Sequence, residues 1–251
     1  QCVVLAKGEG QDKKLVAYCV IESKSDELIQ FDDPHITEKW KLIFNSEIYG
    51  KNKNPLSNLQ YDFSGWISSY TRQPIPSEKM IEWQQMTVNR VRALDPKSIL
   101  EVGCGSGLLL LQLCDHCEYY HGMDYSSNII SALDKKLNKK SWVKLDVLEA
   151  DQVDTIPLMR LYDTVIINSV VQYFPSNNYF FRVIDSVLSR PGVEQLFIGD
   201  LRDYRLGDVF HLSLLLDERR RKDLPINIGY LQRLSKTKLL GDSELLVSPH
   251  Y

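Results

Sequence analysis

Little in this sequence can hold a fold together covalently. Its five cysteines, Cys2, Cys19, Cys104, Cys114 and Cys117, are odd in number and scattered, which argues against a disulfide framework and for reduced thiols inside a cell. Cys114 and Cys117 form a C-x-x-C with His116 and His121 close by. A zinc site needs four ligands and no second pair exists, so the pair is expected to pack the end of a helix and no metal is expected. The chain also lacks an excess of either charge. Thirty Lys and Arg stand against 33 Asp and Glu, a net of −3, which offers no basic surface to nucleic acid or an anionic membrane. No apolar run approaches the ~18 residues of a membrane span, and no signal peptide is visible. Internal repeats and low-complexity tracts are missing too. With 43% hydrophobic and 25% charged residues over 251 positions, the composition suits one large domain, or one domain with appendages. The first residue is Gln1, not Met, and strand-like residues follow at once, as expected of a piece of a longer protein.

What the chain does have is a stretch from Ser98 to Leu110 that organises the rest. Ile99 to Val102 is an apolar run with one interior acid, Glu101. Gly103, Gly105 and Gly107 follow at alternate positions, and Leu108 to Leu111 begins a helical pattern. A strand turning sharply into a helix leaves backbone N–H groups free at one spot, and in an open α/β sheet that spot is the ligand crevice. The dinucleotide fingerprint G-x-G-x-x-G fits Gly103 and Gly105, but its last place falls on Leu108. About 20 residues past the glycines a second β-like run ends in Asp124, where a carboxylate can accept two ribose hydroxyls. Asp124 is alternatively a cap of the helix beginning near Ser126 or Ser127.

Around this centre the elements follow in order. Val3–Ala6 and Leu15–Ile21 are strand-like runs joined by a polar turn, a hairpin that needs a sheet to join. Residues 35–49 can form a helix with Trp40, Ile43, Phe44 and Ile48 on one face. The aromatic stretch Tyr61–Thr71 reads as a lid or substrate wall, or equally as anchors fixing a loop on the core. Ser77 is expected to cap a helix from Glu78 to Ala93. Beyond the glycines, helix and strand alternate, the pattern of a parallel sheet. Helices are expected over 128–137 and 179–188, and strands over Trp142–Leu145, Tyr162–Asn168 and Gln195–Asp200. Asn168-Ser169-Val170-Val171-Gln172-Tyr173 and Gly199-Asp200-Leu201-Arg202 sit at the ends of two of these strands, where polar residues favour substrate contact. Arg219–Lys222 reads as a solvated helix face.

E-x-G-x-G-x-G resembles the first motif of class I S-adenosylmethionine-dependent methyltransferases. Gly-Trp-x-Ser-Ser-Tyr-Thr before Pro-Ile-Pro, Glu82-Trp83, Asn-Ser-Val-Val-Gln-Tyr-Phe-Pro, Gly-Asp-Leu-Arg and Phe210-His211 then occur in the order found in methyltransferase domains embedded in nonribosomal peptide synthetases. This resemblance runs from about Phe63 to His211. The opening hairpin looks like part of the small subdomain of an adenylation domain, into which such methyltransferases are inserted. The resemblance implies an α/β, Rossmann-like, doubly wound and mostly parallel sheet. It divides the chain into an adenylation remnant (1–31), a lid and lead-in helix (32–94), a cofactor-binding core (95–212) and a helical or extended tail (213–251). The family usually closes its sheet with an antiparallel pair of strands, which this sequence does not show.

For the site, the resemblance implies S-adenosylmethionine as cofactor, leaving as S-adenosylhomocysteine. It is held by Glu101, Gly103, Cys104, Gly105, Gly107, Asp124, Tyr125, Asn168 and Asp151, the last facing adenine, although Asp151 is equally a solvated loop residue. Trp66, Tyr70, Trp83 and Gln172 belong to the lid and substrate wall. Asn168, Tyr173, Asp200 and His211 are the catalytic candidates, with Arg202 orienting Asp200 or the acyl carbonyl; His211 is alternatively a satisfied core histidine. The implied reaction is methylation of the backbone amine of an aminoacyl thioester on a carrier protein's phosphopantetheine, beside an adenylation domain, in the cytoplasm, with the excised domain a monomer. O- or C-methylation of a carrier-bound acyl group, a nicotinamide-dependent oxidoreductase and a non-catalytic module are the alternatives.

Overall fold

The computed structural model describes residues 2–7, 14–19, 34–43, 59–138 and 140–248. The chain divides into two compact units, Gln1–Phe31 and Asp32–Tyr251. In the first, β1 (Cys2–Lys7) and β2 (Lys14–Cys19) pair antiparallel from Cys2 opposite Cys19 to Lys7 opposite Lys14; the turn between them lies outside the described residues.

The second unit opens with α1 (Pro34–Ile43) and α2 (Ser77–Arg92). Phe44 and Ile48, expected on the first of these helices, lie outside the described residues. Five parallel strands follow: β3 (Ser98–Val102), β4 (Tyr119–Asp124), β5 (Val143–Val147), β6 (Thr164–Asn168) and β7 (Gln195–Gly199). Their spatial order is β5-β4-β3-β6-β7. Ile99 to Val102 of β3 and the whole of β4 are buried, as expected where helices cover both faces of a parallel sheet.

Alternation along β3 sorts the core. Ile99 points to a cluster with Val88 and Val91 of α2, Leu110 and Leu113 of α3 (Leu110–Leu113), and Ile129 and Leu133 of α4 (Ser127–Leu137). Leu100 and Val102 point the other way, to Phe180, Val183 and Val187 of α5 (Asn177–Leu188). Successive strand residues face opposite sides of a sheet, so one apolar run feeds both cores. The strand order reverses between β3 and β6, which opens a crevice at their carboxyl ends.

Two local expectations are corrected, and the tail is helical. Helix α2 is capped by Pro76, whose carbonyl accepts from Lys79 and Met80, so Ser77 is the first helical residue. After the glycines α3 is a single turn, too short to sum peptide dipoles into a helix-end field. Beyond β7 the chain forms α6 (Tyr204–Arg221) and α7 (Ile228–Leu240), packed on each other. Among the described residues no antiparallel pair closes the sheet; the segment after α7 makes only a single parallel bridge, Asp203 to Val247.

Candidate functional site

The glycine turn is shaped by close approach. Gly103 has φ +74°, and a Cβ there would stand 2.5 Å from Val170 Cγ2; Gly107 has φ +83°, and its Cβ would stand 2.5 Å from Leu133 Cδ2. Both positions therefore exclude a side chain twice over, by space and by backbone conformation. Their surroundings differ. Gly103, Cys104 and Gly105 line a cavity at the carboxyl ends of β3, β4 and β6, whereas Gly107 lies outside its wall and packs on α4.

Asp124 ends β4 in the cavity wall. Its Oδ2 accepts from Gly105 N at 3.0 Å and its Oδ1 from Ser126 N at 2.9 Å. The side chain thus ties the glycine turn to the next loop. The cap of α4 is Ser126, whose Oγ accepts from Ile129 N. Glu101 is buried beneath, its Oε2 accepting from Tyr120 Oη at 2.7 Å. Burial pushes the Glu101 carboxyl up to about 8, against the opposing Tyr120 hydrogen bond, and pushes Asp124 up to about 6 against its two backbone donors. Burial likewise holds the Cys104 thiol well above its ordinary value, so it is no nucleophile at neutral pH.

The far wall is aromatic. Trp40 of α1 meets Tyr173 at 4.7 Å between ring centroids, and Trp66 meets Trp83 of α2 at 4.8 Å. All four line the cavity, as do Tyr125 and Asn168. Burial raises the Tyr173 phenol to about 12, so it stays protonated. The carboxylates in the wall are Asp62, Glu101, Asp124 and Glu149; among the described lining residues there is no lysine, arginine or histidine. Glu149 in turn accepts from Lys41 Nζ at 2.7 Å.

The remaining candidates fall elsewhere. Asp151 stands behind the wall, its backbone N–H donating to Tyr179 Oη at 3.2 Å; Glu149, two residues earlier, is the acid that reaches the cavity. Gln172 is buried outside the lining, with Nε2 on the Ser169 carbonyl at 3.1 Å. Asp200 stands exposed at the rim. Its Oδ2 accepts from Ser169 Oγ at 2.5 Å and its Oδ1 from Trp83 Nε1 at 3.4 Å.

Arg202 does not orient Asp200. Its guanidinium holds both oxygens of Asp242, at 3.1 and 2.9 Å, and Glu244 at 2.7 Å. His211 Nε2 lies 3.0 Å from Asp242 Oδ2. Tyr70 joins this second cluster, with its hydroxyl 2.8 Å from Ser213 Oγ and its ring edge-on to Phe210. These three residues line a separate cavity. The reason is the tail: residues 242–247 run beside residues 202–204, after β7, where Arg202 holds Asp242 and Glu244 and His211 meets Asp242. Sequence reasoning missed Glu149, Asp62 and Ser169 as wall residues. Only the Asn168-Ser169 strand end carried a signal for any of them.

A strand, a tight glycine turn and an acid at the next strand end stand here on a doubly wound parallel sheet, a Rossmann-like arrangement, and residues 100–193 match the methyltransferase domain family. The chain is 32% identical to the nonribosomal peptide synthetase dtxS1 of Metarhizium robertsii over 97% of its own length, and 36% identical to the probable non-canonical synthetase CymA of Salinispora arenicola over 94%. It spans about 3% of the length of each. The N-methyltransferase NodS from Bradyrhizobium japonicum, solved with S-adenosyl-L-homocysteine, is similar at 16% identity, covering 55% of this chain and 71% of its own, with a TM-score of 0.45. The chain belongs to the methyltransferase domains carried within nonribosomal peptide synthetases.

Proposed function

We propose that the chain transfers the methyl group of S-adenosylmethionine to the backbone amine of an aminoacyl thioester held on a carrier protein. The observation that carries this reading is the charge of the cavity. Asp62, Glu101, Asp124 and Glu149 face it with no basic side chain among the described lining residues. Such a wall suits a ligand with a sulfonium and an ammonium, whose approach draws off the Glu101 proton, and offers no cation to the pyrophosphate of a nicotinamide dinucleotide. The turn from Gly103 to Gly105 lines the cavity, and a glycine backbone lets a ligand lie close.

S-adenosylmethionine supplies a methyl carbon activated by a good, neutral leaving group, S-adenosylhomocysteine. The protein's tasks are in-line positioning and exclusion of water. In this reading Asp124 receives the ribose hydroxyls, Glu101 the cationic end, and Gly103 to Gly105 the close approach. Trp40, Trp66, Trp83 and Tyr173 close the cavity, Asn168 and Tyr173 orient the reacting groups, and Asp200 accepts a hydrogen bond from the incoming amine. An α-amine has a reference pKa of about 8, so a neutral fraction exists without a strong base. The placement of His211 against Asp242, away from the cavity, supports an amine over a hydroxyl or carbon acceptor, which need real deprotonation. The hairpin of residues 1–31 is the small-subdomain edge of a surrounding adenylation domain, a reading supported by synthetase relatives that align with it too.

The test is trideuteromethyl S-adenosylmethionine with carrier protein loaded with a panel of amino acids, followed by fragmentation of the ejected pantetheine arm. The label is expected on the α-nitrogen. A label on side-chain oxygen or on carbon overturns the acceptor, and loss of S-adenosylmethionine binding overturns the whole reading.

A further inference from the structure

Two residues with side chains hold the left-handed backbone conformation at neighbouring strand ends. Ser169 follows β6 with φ +57°, and Asp200 follows β7 with φ +60°. The pair is built rather than incidental. Ser169 N donates to Gly199 O at 3.2 Å, and Gln172 Nε2 donates to Ser169 O at 3.1 Å. Asn168 Nδ2 donates to Ser169 Oγ at 2.9 Å, and that hydroxyl in turn donates to Asp200 Oδ2 at 2.5 Å. Trp83 Nε1 approaches the other Asp200 oxygen at 3.4 Å. Backbone strain of this kind persists only where surrounding contacts over-determine it, and it gathers at functional sites.

We infer that Ser169 is a positioning residue for the methyl acceptor: its hydroxyl, set by the strained backbone and by Asn168, holds the Asp200 carboxylate against Trp83 at the cavity rim, so that the carboxylate's free lone pairs face the incoming amine. The inference rests on the proposed methyl transfer to an amine, and adds a residue to that site. A hydroxyl at position 169 does two jobs that a simple turn does not need. It accepts from one side of the cavity wall and donates to the rim. A turn alone would be served better by glycine, which adopts φ near +57° without strain. Ser169 itself lines the cavity, as do Asn168 and Trp83. The chain Asn168–Ser169–Asp200–Trp83 therefore links cavity wall to rim across β6, β7 and α2.

Ser169→Gly separates the two roles. It removes the hydroxyl and relieves the backbone, so the melting temperature and S-adenosylmethionine affinity are expected to hold or rise. With carrier-bound aminoacyl thioesters kcat should fall on the order of 10²-fold, the scale of losing one alignment. The Trp83 indole N–H resonance in the free protein is expected to shift, because Asp200 loses one of its two holders. Ser169→Ala, which keeps the strain, should lose the same activity at a lower melting temperature than the glycine variant. An unchanged kcat and an unmoved Trp83 resonance in Ser169→Gly overturn the inference. If Asp200→Asn is then inactive, the proposed function still stands; if Asp200→Asn is fully active, the amine-contact reading of Asp200 falls with it.

Discussion

Glu101 and Asp124 are carboxyl groups that the fold keeps half-willing to ionise. With burial raising them to about 8 and about 6, the free protein at pH 7 carries a proton on Glu101. A cation entering the cavity stabilises the ionised form and expels that proton. Affinity for S-adenosylmethionine is therefore expected to rise with pH between 6 and 7.5, by up to about tenfold per unit, with protons released on binding. Titration calorimetry in buffers of different ionisation enthalpy reads the release, and Glu101→Gln should flatten the slope; a pH-independent affinity in the native chain sinks the prediction. At this scale the sequence was partly legible. Asp124 showed itself by distance from the glycines, because the spacing is set by one helix and one strand. Glu149 and Asp62 did not, since they reach the cavity from loops that carry no periodicity. His121, which stood near the cysteine pair in sequence, is a buried core group between Tyr162 Oη and Asp146, held neutral with its imidazole lowered to about 4, chiefly by burial.

At the scale of elements, the glycine turn divides its labour. Gly103 faces the cavity and Gly107 faces α4. Gly107→Ala should cost about 1–3 kcal/mol of stability, through strain at φ +83° and the Leu133 contact, with affinity for S-adenosylmethionine preserved in the folded fraction. Gly103→Ala is expected to lose comparable stability and also affinity, because Val170 in the cavity wall must move. Thermal melts beside calorimetric binding distinguish the two; equal effects on affinity would refute the division. The strands were legible because each is a short β-branched or apolar run between turn residues. The tail was legible only as helical or extended: in α6 only Gly207 and Leu215 are buried, so its apolar residues mark no single face. Arg202 and His211 misled for a related reason: a polar residue after a strand end points into a crevice only if no later segment claims it, and here residues 242–247 do.

Taken whole, the chain separates its cavity from its opening hairpin in sequence. Among the described residues the lining of the carboxylate cavity runs from Thr37 to Tyr179, within the unit Asp32–Tyr251. A chain lacking residues 1–31 is expected to bind S-adenosylmethionine within about threefold of the full chain and to melt cooperatively; loss of binding would show that the hairpin unit is needed to build the site. The sequence's balance of charge, −3 overall, hid the local excess, since a count over 251 residues does not say which side of a fold the acids occupy.

The grip of Arg202 on the tail has a mechanical side. One guanidinium holds Asp242 and Glu244, while Val247 N binds Arg202 O at 2.8 Å and Tyr204 N binds Val247 O at 3.0 Å. Side-chain and main-chain attachments thus meet at one residue, separated from Asp200 by Leu201 alone. The tail is thus moored one residue from the rim carboxylate, and the mouth of the cavity shares its anchorage with the segment after α7.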